Sequence, residues 1–368
     1  MAEYWYPLAS PTLGDEEIDA ATEVLRSRNT TMGAKVEQFE EAFARRVGAQ
    51  HAVMVNSGSS ADLLIAFALD GIHGEVIVPV VTWPTHFWSW KMSNLHPVFV
   101  DVDDLNATAA TIEAAITPQT VGVSLVHLMG VPCDMEAIMA LVSKHDLFLT
   151  EDCCEALGST YQGKQVGSFG DAAAWSFFFS HHITTMEGGM VTTDHAELAT
   201  KIRTLRSHGW ARHLADPPPG LDPRYTFVDW GFNLRPTEVA AAIGLVQLGR
   251  LDSFNEARVG NFTDFAAHLE GHPLVSLPKV RLRAKPAWFG IPMFVANGGR
   301  DQLAKLLESA GVETRPILAG NLTRQPAVNE SGDFPGADRV HNQGLYIGLH
   351  ATRSSEAWDV GEIIMGFS

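Results

Sequence analysis

Between residues 50 and 200 short β-rich runs alternate with helix-length amphipathic stretches, and few architectures accommodate that rhythm. Strands separated by such segments pair in parallel through βαβ crossovers, which requires helices against the sheet. The expected strands are His51–Val55, Glu75–Val78 (stopped by Pro79), Pro97–Val102, Val121–Val126 and Leu147–Glu151. The expected helices cover Ser60–Leu69, His86–Ser93, Thr111–Ala115 and Met135–Lys144. A mostly parallel sheet of this kind binds its ligand at the carboxyl ends of the strands.

After Trp175 the regularity loosens into Phe177–Phe179, a polar turn and the pair Gly188-Gly189, with a further helix expected over Glu197–Arg206. Residues 211–228 are rich in proline, glycine and charge and read as a loop over a site. A long helical pattern runs over Pro236–Asn255, and from about residue 256 helices and short strands alternate again, including Trp288–Val295 and Gln302–Ser309. A chain of 368 residues exceeds what one small core supports. The expected division is an N-terminal arm and large domain over 1–255, then a smaller α/β domain over 256–368.

The 26 Lys and Arg against 43 Asp and Glu give a net charge of -17, which repels a nucleic-acid backbone and argues against such a partner. A small phosphorylated ligand is compatible with that charge, because backbone amides at a helix N-terminus hold phosphate without a basic surface. The N-terminus lacks a signal-peptide pattern and there is no apolar run of about 18 residues, so the expectation is a cytoplasmic protein without membrane partners. Three cysteines, Cys133, Cys153 and Cys154, make neither a disulfide framework nor a four-thiolate iron–sulfur site.

Three segments could carry chemistry. Asn56-Ser57-Gly58-Ser59-Ser60 follows a strand and precedes a helix, where small residues permit close approach and the helix end favours an anion. Its plainer reading is an N-cap by Ser57 or Ser59. Glu151-Asp152-Cys153-Cys154-Glu155 ends an apolar strand, so a carboxylate there projects into the crevice as a base or as partner to a protonated ring nitrogen, unless it merely caps a helix. Ser176 to Gly189 contains the pair His181-His182; on an extended segment these point in opposite directions, one to a pocket and one to packing, and no metal-binding spacing accompanies them.

Taken in order, Tyr6-Pro-Leu-Ala, Asn56-Ser-Gly-Ser, Pro79-Val-Val-Thr-Trp83, Glu151-Asp152, Gly167-Ser-Phe-Gly-Asp, Glu187-Gly-Gly and Gly231-Phe-Asn233-Leu-Arg235-Pro resemble the DegT/DnrJ/StrS sugar aminotransferase family. The resemblance spans nearly the whole chain and implies a fold-type I transferase-like α/β fold with pyridoxal 5'-phosphate, or its pyridoxamine form, as cofactor. It further implies that Gly58 and Ser59 hold the cofactor phosphate with help from Ser176, that Trp83 stacks on the ring, that Asp152 pairs with the ring nitrogen and that Glu155 contacts the ring hydroxyl. Asn233, by the same resemblance, reaches the cofactor phosphate of a neighbouring subunit, which implies a homodimer with shared sites.

One departure bears on the reaction. The family's aminotransferases carry their cofactor-linking lysine five residues after the serine matching Ser176; here that position is His181, and no lysine lies between Lys164 and Lys201. An imidazole cannot form that covalent link, so the cofactor is expected to be held non-covalently. The exchange resembles the 3-dehydratase branch of deoxysugar biosynthesis, as do Ser207-His-Gly-Trp210, Trp288-Phe-Gly290 and Arg315-Pro-Ile-Leu-Ala-Gly-Asn321. What this implies is C3 dehydration of a nucleotide-linked 4-keto-6-deoxyhexose, foremost GDP-4-keto-6-deoxy-D-mannose, with L-glutamate as amino donor and His181, near its ordinary pKa of about 6.5, as acid and base. The absence of cysteine after Cys154 disfavours the CDP-sugar dehydratases that draw electrons through an iron–sulfur cluster. A sugar aminotransferase using another lysine and a cofactor-binding regulator remain as alternatives.

Overall fold

The computed structural model describes residues 4–69, 71–214, 216 and 218–367. Two helices, α1 (Asp15–Ser27) and α2 (Ala34–Val47), precede an alternating stretch of β1 (His51–Val55), α3 (Gly58–Ala68), β2 (Gly74–Pro79), α4 (Pro84–Met92), β3 (Leu95–Val100), α5 (Ala109–Ala115), β4 (Thr120–Val126), α6 (Met135–His145) and β5 (Phe148–Asp152). A short hairpin, β6 (Thr160–Tyr161) and β7 (Lys164–Gln165), leads to β8 (Ala172–Ser176), β9 (Gly189–Thr193) and α7 (Ala196–Arg206). The 31-residue α8 (Glu238–His268) then leads into β10 (Val275–Ser276), β11 (Ala284–Lys285), β12 (Ile291–Val295), α9 (Arg300–Ser309), β13 (Thr314–Pro316), α10 (Pro335–Gln343), β14 (Gly344–Ile347) and α11 (Glu356–Met365).

The central sheet has seven strands in the order β1-β9-β8-β5-β4-β2-β3. Contacts among β8, β5, β4, β2 and β3 are all parallel, while β9 runs against both its neighbours, β1 and β8. The sheet is therefore mostly parallel, and the five strands expected from the sequence are in place, β1 with its expected bounds and the others with ends shifted by at most two residues. Alternation along each strand feeds two apolar layers. Met54 and Trp175 face the layer built with Phe39, Phe43 and Phe177, whereas Val53, Val55, Ala172 and Ala174 face the layer built with Leu64, Ile65 and Leu205. A second sheet, β10-β12-β14-β13, is antiparallel throughout and packs with α9, α10 and α11 around Met293, Leu303, Val340 and Ile364.

The expectation of a helix from Pro236 to Asn255 needs correction at both ends. Thr237 is the N-cap, its hydroxyl accepting from Ala240 N, and Pro236 stays outside the helix; the helix then continues to His268 without a break at 255–256. Its apolar face carries on past the polar run Asp252–Glu256 through Ala257, Phe262 and Phe265. At its start, the buried Glu238 carboxylate accepts the backbone N–H groups of Gly33, Lys35 and Val36 at 2.9 Å each, satisfying the free donors at the α2 N-terminus.

Candidate active site

A cleft of about 380 Å³ opens at the carboxyl ends of β5 and β8, where the N-terminus of α3, the turn after β8 and the segments around Phe289 and Tyr346 converge. Its lining includes Gly58, Ser59, Trp83, Asp152, Glu155, Ser176 and His181. Seven of the eight residues picked from the sequence thus meet in one place. Asn233 does not line it: it is exposed, and its amide oxygen accepts from Arg235 Nε at 2.9 Å.

The loop-to-helix segment does both things the sequence left open. Ser57 is the N-cap of α3, its hydroxyl accepting from Ser60 N at 3.1 Å, so the capping reading is correct for that residue. Gly58 then begins the helix with its backbone at the cleft, so close to its surroundings that a Cβ there would lie 2.7 Å from Ser176 Cβ and 2.8 Å from Cys154 Sγ. Its φ is not in the left-handed region, so the requirement for glycine is steric. Free N–H groups at this helix start, with the Ser59 and Ser176 hydroxyls, form a cradle suited to a phosphate dianion. Trp83, at the N-terminus of α4, presents a 54 % exposed indole to the same space.

Glu151 and Asp152 divide their work because neighbouring strand residues face opposite ways. Glu151 is buried and accepts N–H groups of Gly167, Phe169 and Gly170 at 2.8 Å each, plus His127 Nε2 at 2.9 Å. It organises the Gly167–Gly170 loop and takes no part in the cleft. These donors and His127 hold its carboxyl below the usual range against the opposing effect of burial. Cys133 N donates to His127 Nδ1 at 3.1 Å, so His127 Nε2 carries a proton toward Glu151. Asp152, also buried, lines the cleft and accepts from Cys154 N at 2.9 Å. Glu155 accepts from Met129 N at 2.7 Å; burial pushes its carboxyl up to about 8, so it is a neutral acid at neutral pH.

The two histidines sit in a tight turn, with His181 N donating to Phe178 O, and not on extended backbone as expected. The turn still separates their roles. His182 is buried and bonds through Nε2 to the Ala287 carbonyl, which ties the turn to the segment leading into β12. His181 lines the cleft; its ring packs edge-on to Phe289, centroids 5.0 Å apart, and its Nδ1 is buried with no partner. Burial, reinforced by the positive charge of Arg258, lowers His181 to about 3, well under the ordinary value assumed from sequence. The imidazole is thus a neutral base. Arg258 itself anchors the opposite wall, donating to the carbonyls of Phe289 at 3.1 Å and Leu349 at 2.7 Å.

Several lining residues were given no role from the sequence: Asp62, Cys154, Phe289 and Tyr346 among them. Asp62 was the one with a local signal, a lone charge within the apolar helix run Gly58–Ala68. Phe289 and Tyr346 arrive from far along the chain; Trp288-Phe-Gly290 stood out only by resemblance, and nothing near Tyr346 in sequence marks a site. The described lining contains no lysine or arginine, so a covalent imine link from a lysine in this cleft is ruled out for the described residues.

The cradle, the exposed indole and the buried Asp152 together match a planar, phosphate-bearing cofactor with a ring nitrogen. Similarity to known proteins agrees. GDP-4-keto-6-deoxy-D-mannose 3-dehydratase of Yersinia pseudotuberculosis is 36 % identical over 377 residues, covering 95 % of each chain. GDP-perosamine synthase of Caulobacter vibrioides is 38 % identical over 357 residues, covering 94 % of this chain and 93 % of its own. A crystal structure of GDP-4-keto-6-deoxymannose-3-dehydratase with a trapped PLP-glutamate geminal diamine superposes with a TM-score of 0.92 at 34 % identity, over 97 % of this chain and 99 % of that one. The model of the DegT/DnrJ/EryC1/StrS aminotransferase family matches residues 11–365, and the chain belongs to that family.

Proposed function

We propose that this chain is a pyridoxal-phosphate-dependent 3-dehydratase of a nucleotide-linked 4-keto-6-deoxyhexose, with GDP-4-keto-6-deoxy-D-mannose as substrate and glutamate as amino donor. The observation that carries this reading is a neutral, cleft-facing His181 where a family aminotransferase needs lysine, in a site otherwise complete for the cofactor. The α3 N-terminus with Ser59 and Ser176 binds the phosphate, Trp83 covers one face of the ring, Asp152 holds a proton on the ring nitrogen, and Glu155 meets the ring hydroxyl as a neutral acid. When bound, the cofactor supplies an amine carrier and an electron sink.

His181 has a free imidazole lone pair, accepts one proton and delivers it to the departing C3 hydroxyl, while Phe289 keeps bulk water off its ring. Overall the sugar exchanges its C3 hydroxyl for hydrogen, and glutamate, oxidised by two electrons, leaves as 2-oxoglutarate and ammonia. No outside reductant is needed for that balance. The protein works in the cytoplasm as a homodimer in which Asn233, exposed and outside its own cleft, serves the phosphate site of the second copy. Among the described residues, no helix is long and apolar enough to cross a membrane.

Incubation with glutamate and a panel of nucleotide-linked 4-keto-6-deoxy sugars, followed by mass spectrometry, tests the reading. Loss of the C3 oxygen with stoichiometric 2-oxoglutarate and ammonia is expected. A 4-amino sugar that retains its C3 oxygen would make the protein an aminotransferase, a reading that the similarity to GDP-perosamine synthase keeps open. A requirement for an added electron donor would place it with the reductase-coupled dehydratases.

A further inference from the structure

Beside Asp152, the cleft holds a buried carboxyl that the proposed reaction does not use. Asp62, 7 % exposed on the second turn of α3, lies one turn beyond the phosphate cradle. One of its carboxyl oxygens, one of Asp152 and a ring nitrogen of His86 all fall within 4.8 Å of one another. His86 does not neutralise the pair: its Nδ1 meets Thr82 Oγ1 at 2.8 Å and its Nε2 meets Ser124 Oγ at 2.7 Å, and burial lowers its basicity. Cys154, on the turn after β5, stays a thiol because burial and the Asp152 charge push it well above its usual range. From α3 and β8 the same cleft is lined by the Ser59 and Ser176 hydroxyls.

Two carboxylates at this separation, without a cation and out of water, do not both ionise. Burial first, and the charge of Asp152 second, raise Asp62 well above the carboxylate range. Asp152 is the one that bonds a backbone N–H, from Cys154. We propose that Asp62 is a positioning residue that remains a protonated acid and directs its proton toward Asp152, confining the single negative charge of the pair to the carboxylate that faces the cofactor's ring nitrogen. This rests on the cofactor assignment above. It makes Asp62 a neutral donor whose loss weakens cofactor binding through Asp152, without contact to the sugar.

The test uses the full chain and pyridoxal phosphate as probe. In the cofactor-free protein at neutral pH, an infrared difference spectrum of wild type minus Asp62→Asn shows the carbonyl stretch of one protonated carboxyl; the contribution of Glu155 cancels, being common to both. The Asn variant, which keeps a neutral donor, binds pyridoxal phosphate within about threefold of wild type, whereas Asp62→Leu, with cofactor-free thermal unfolding measured alongside, binds about tenfold more weakly. The proposal is overturned by a missing band, by an Asn variant as weak as a folded Leu variant, or by a stoichiometric divalent cation bound at the trio. Failure of wild type to bind pyridoxal phosphate sinks the cofactor assignment instead, and the infrared band still reports on Asp62. Should the Leu variant not fold, the band and the Asn affinity decide.

Discussion

Gly58→Ala is the smallest change that reaches the cofactor cradle. The added methyl would sit 2.7 Å from Ser176 Cβ and 2.8 Å from Cys154 Sγ, both inside van der Waals contact. Neither neighbour is the tip of a long side chain that can swing away: Ser176 ends β8, and Cys154 is the second residue after β5. Overpacking of this kind costs about 1–3 kcal/mol. Relief requires α3 and β8 to part by several tenths of an ångström, which displaces the N–H groups and the Ser176 hydroxyl from the phosphate. Since about 1.4 kcal/mol is a tenfold change in affinity, pyridoxal phosphate is expected to bind at least ~5-fold more weakly, and thermal unfolding of the cofactor-free protein to shift down by a few degrees. Gly249→Ala, on α8 with nothing within 4 Å of the new Cβ, is the matched control and should stabilise by about 0.5–1 kcal/mol. A Gly58→Ala variant that binds pyridoxal phosphate with wild-type affinity in a fluorescence titration would refute the steric argument for the cradle.

Other consequences are equally open to measurement. Glu155 is a neutral acid up to about pH 8, so kcat/KM should fall as pH rises through that value, and Glu155→Gln should lack this limb. Because the folded state holds that proton above the ordinary carboxylate range, stability in urea should also decline as pH rises from about 4.5 to 8 in wild type, with the decline reduced in the Gln variant. Glu238→Ala removes the acceptor of three α2 N–H groups and should cost about 3 kcal/mol by urea titration; a loss under 1 kcal/mol would mean that water replaces the carboxylate freely. Trp83→Ala should leave the unfolding midpoint unchanged, since the ring is half exposed, yet weaken pyridoxal phosphate binding in the same titration.

What the sequence disclosed follows physical range. Strands β1 to β5 of the central sheet declare themselves through apolar runs bounded by turns, and the helix starts near Gly58 and Met135 through local periodicity. Strand β8 hides because three of its five residues are alanine, a poor strand former; small side chains are needed there because α3 packs directly on that strand. Helices α1 and α2 lie before the first strand, outside the alternation that makes the sheet readable. Of the site, the residues next to strand ends were legible since topology alone brings strand ends together. Phe289 and Tyr346 were not, because their approach depends on how the second sheet docks. The protonation state of His181 was also beyond reach: it is set by burial, Phe289 and Arg258, none of them its sequence neighbours. Asn233 stays outside the cleft of its own chain, and its assignment turns on a second copy.

His181→Asn tests the account most directly. Asn fills similar space and keeps a polar edge toward Phe289, yet cannot take up a proton at any working pH. With glutamate and GDP-4-keto-6-deoxy-D-mannose, the variant should still bind pyridoxal phosphate, while mass spectrometry finds the C3 oxygen retained in the sugar. Loss of that oxygen at the wild-type rate would contradict the assignment of His181 as the group that protonates the departing hydroxyl.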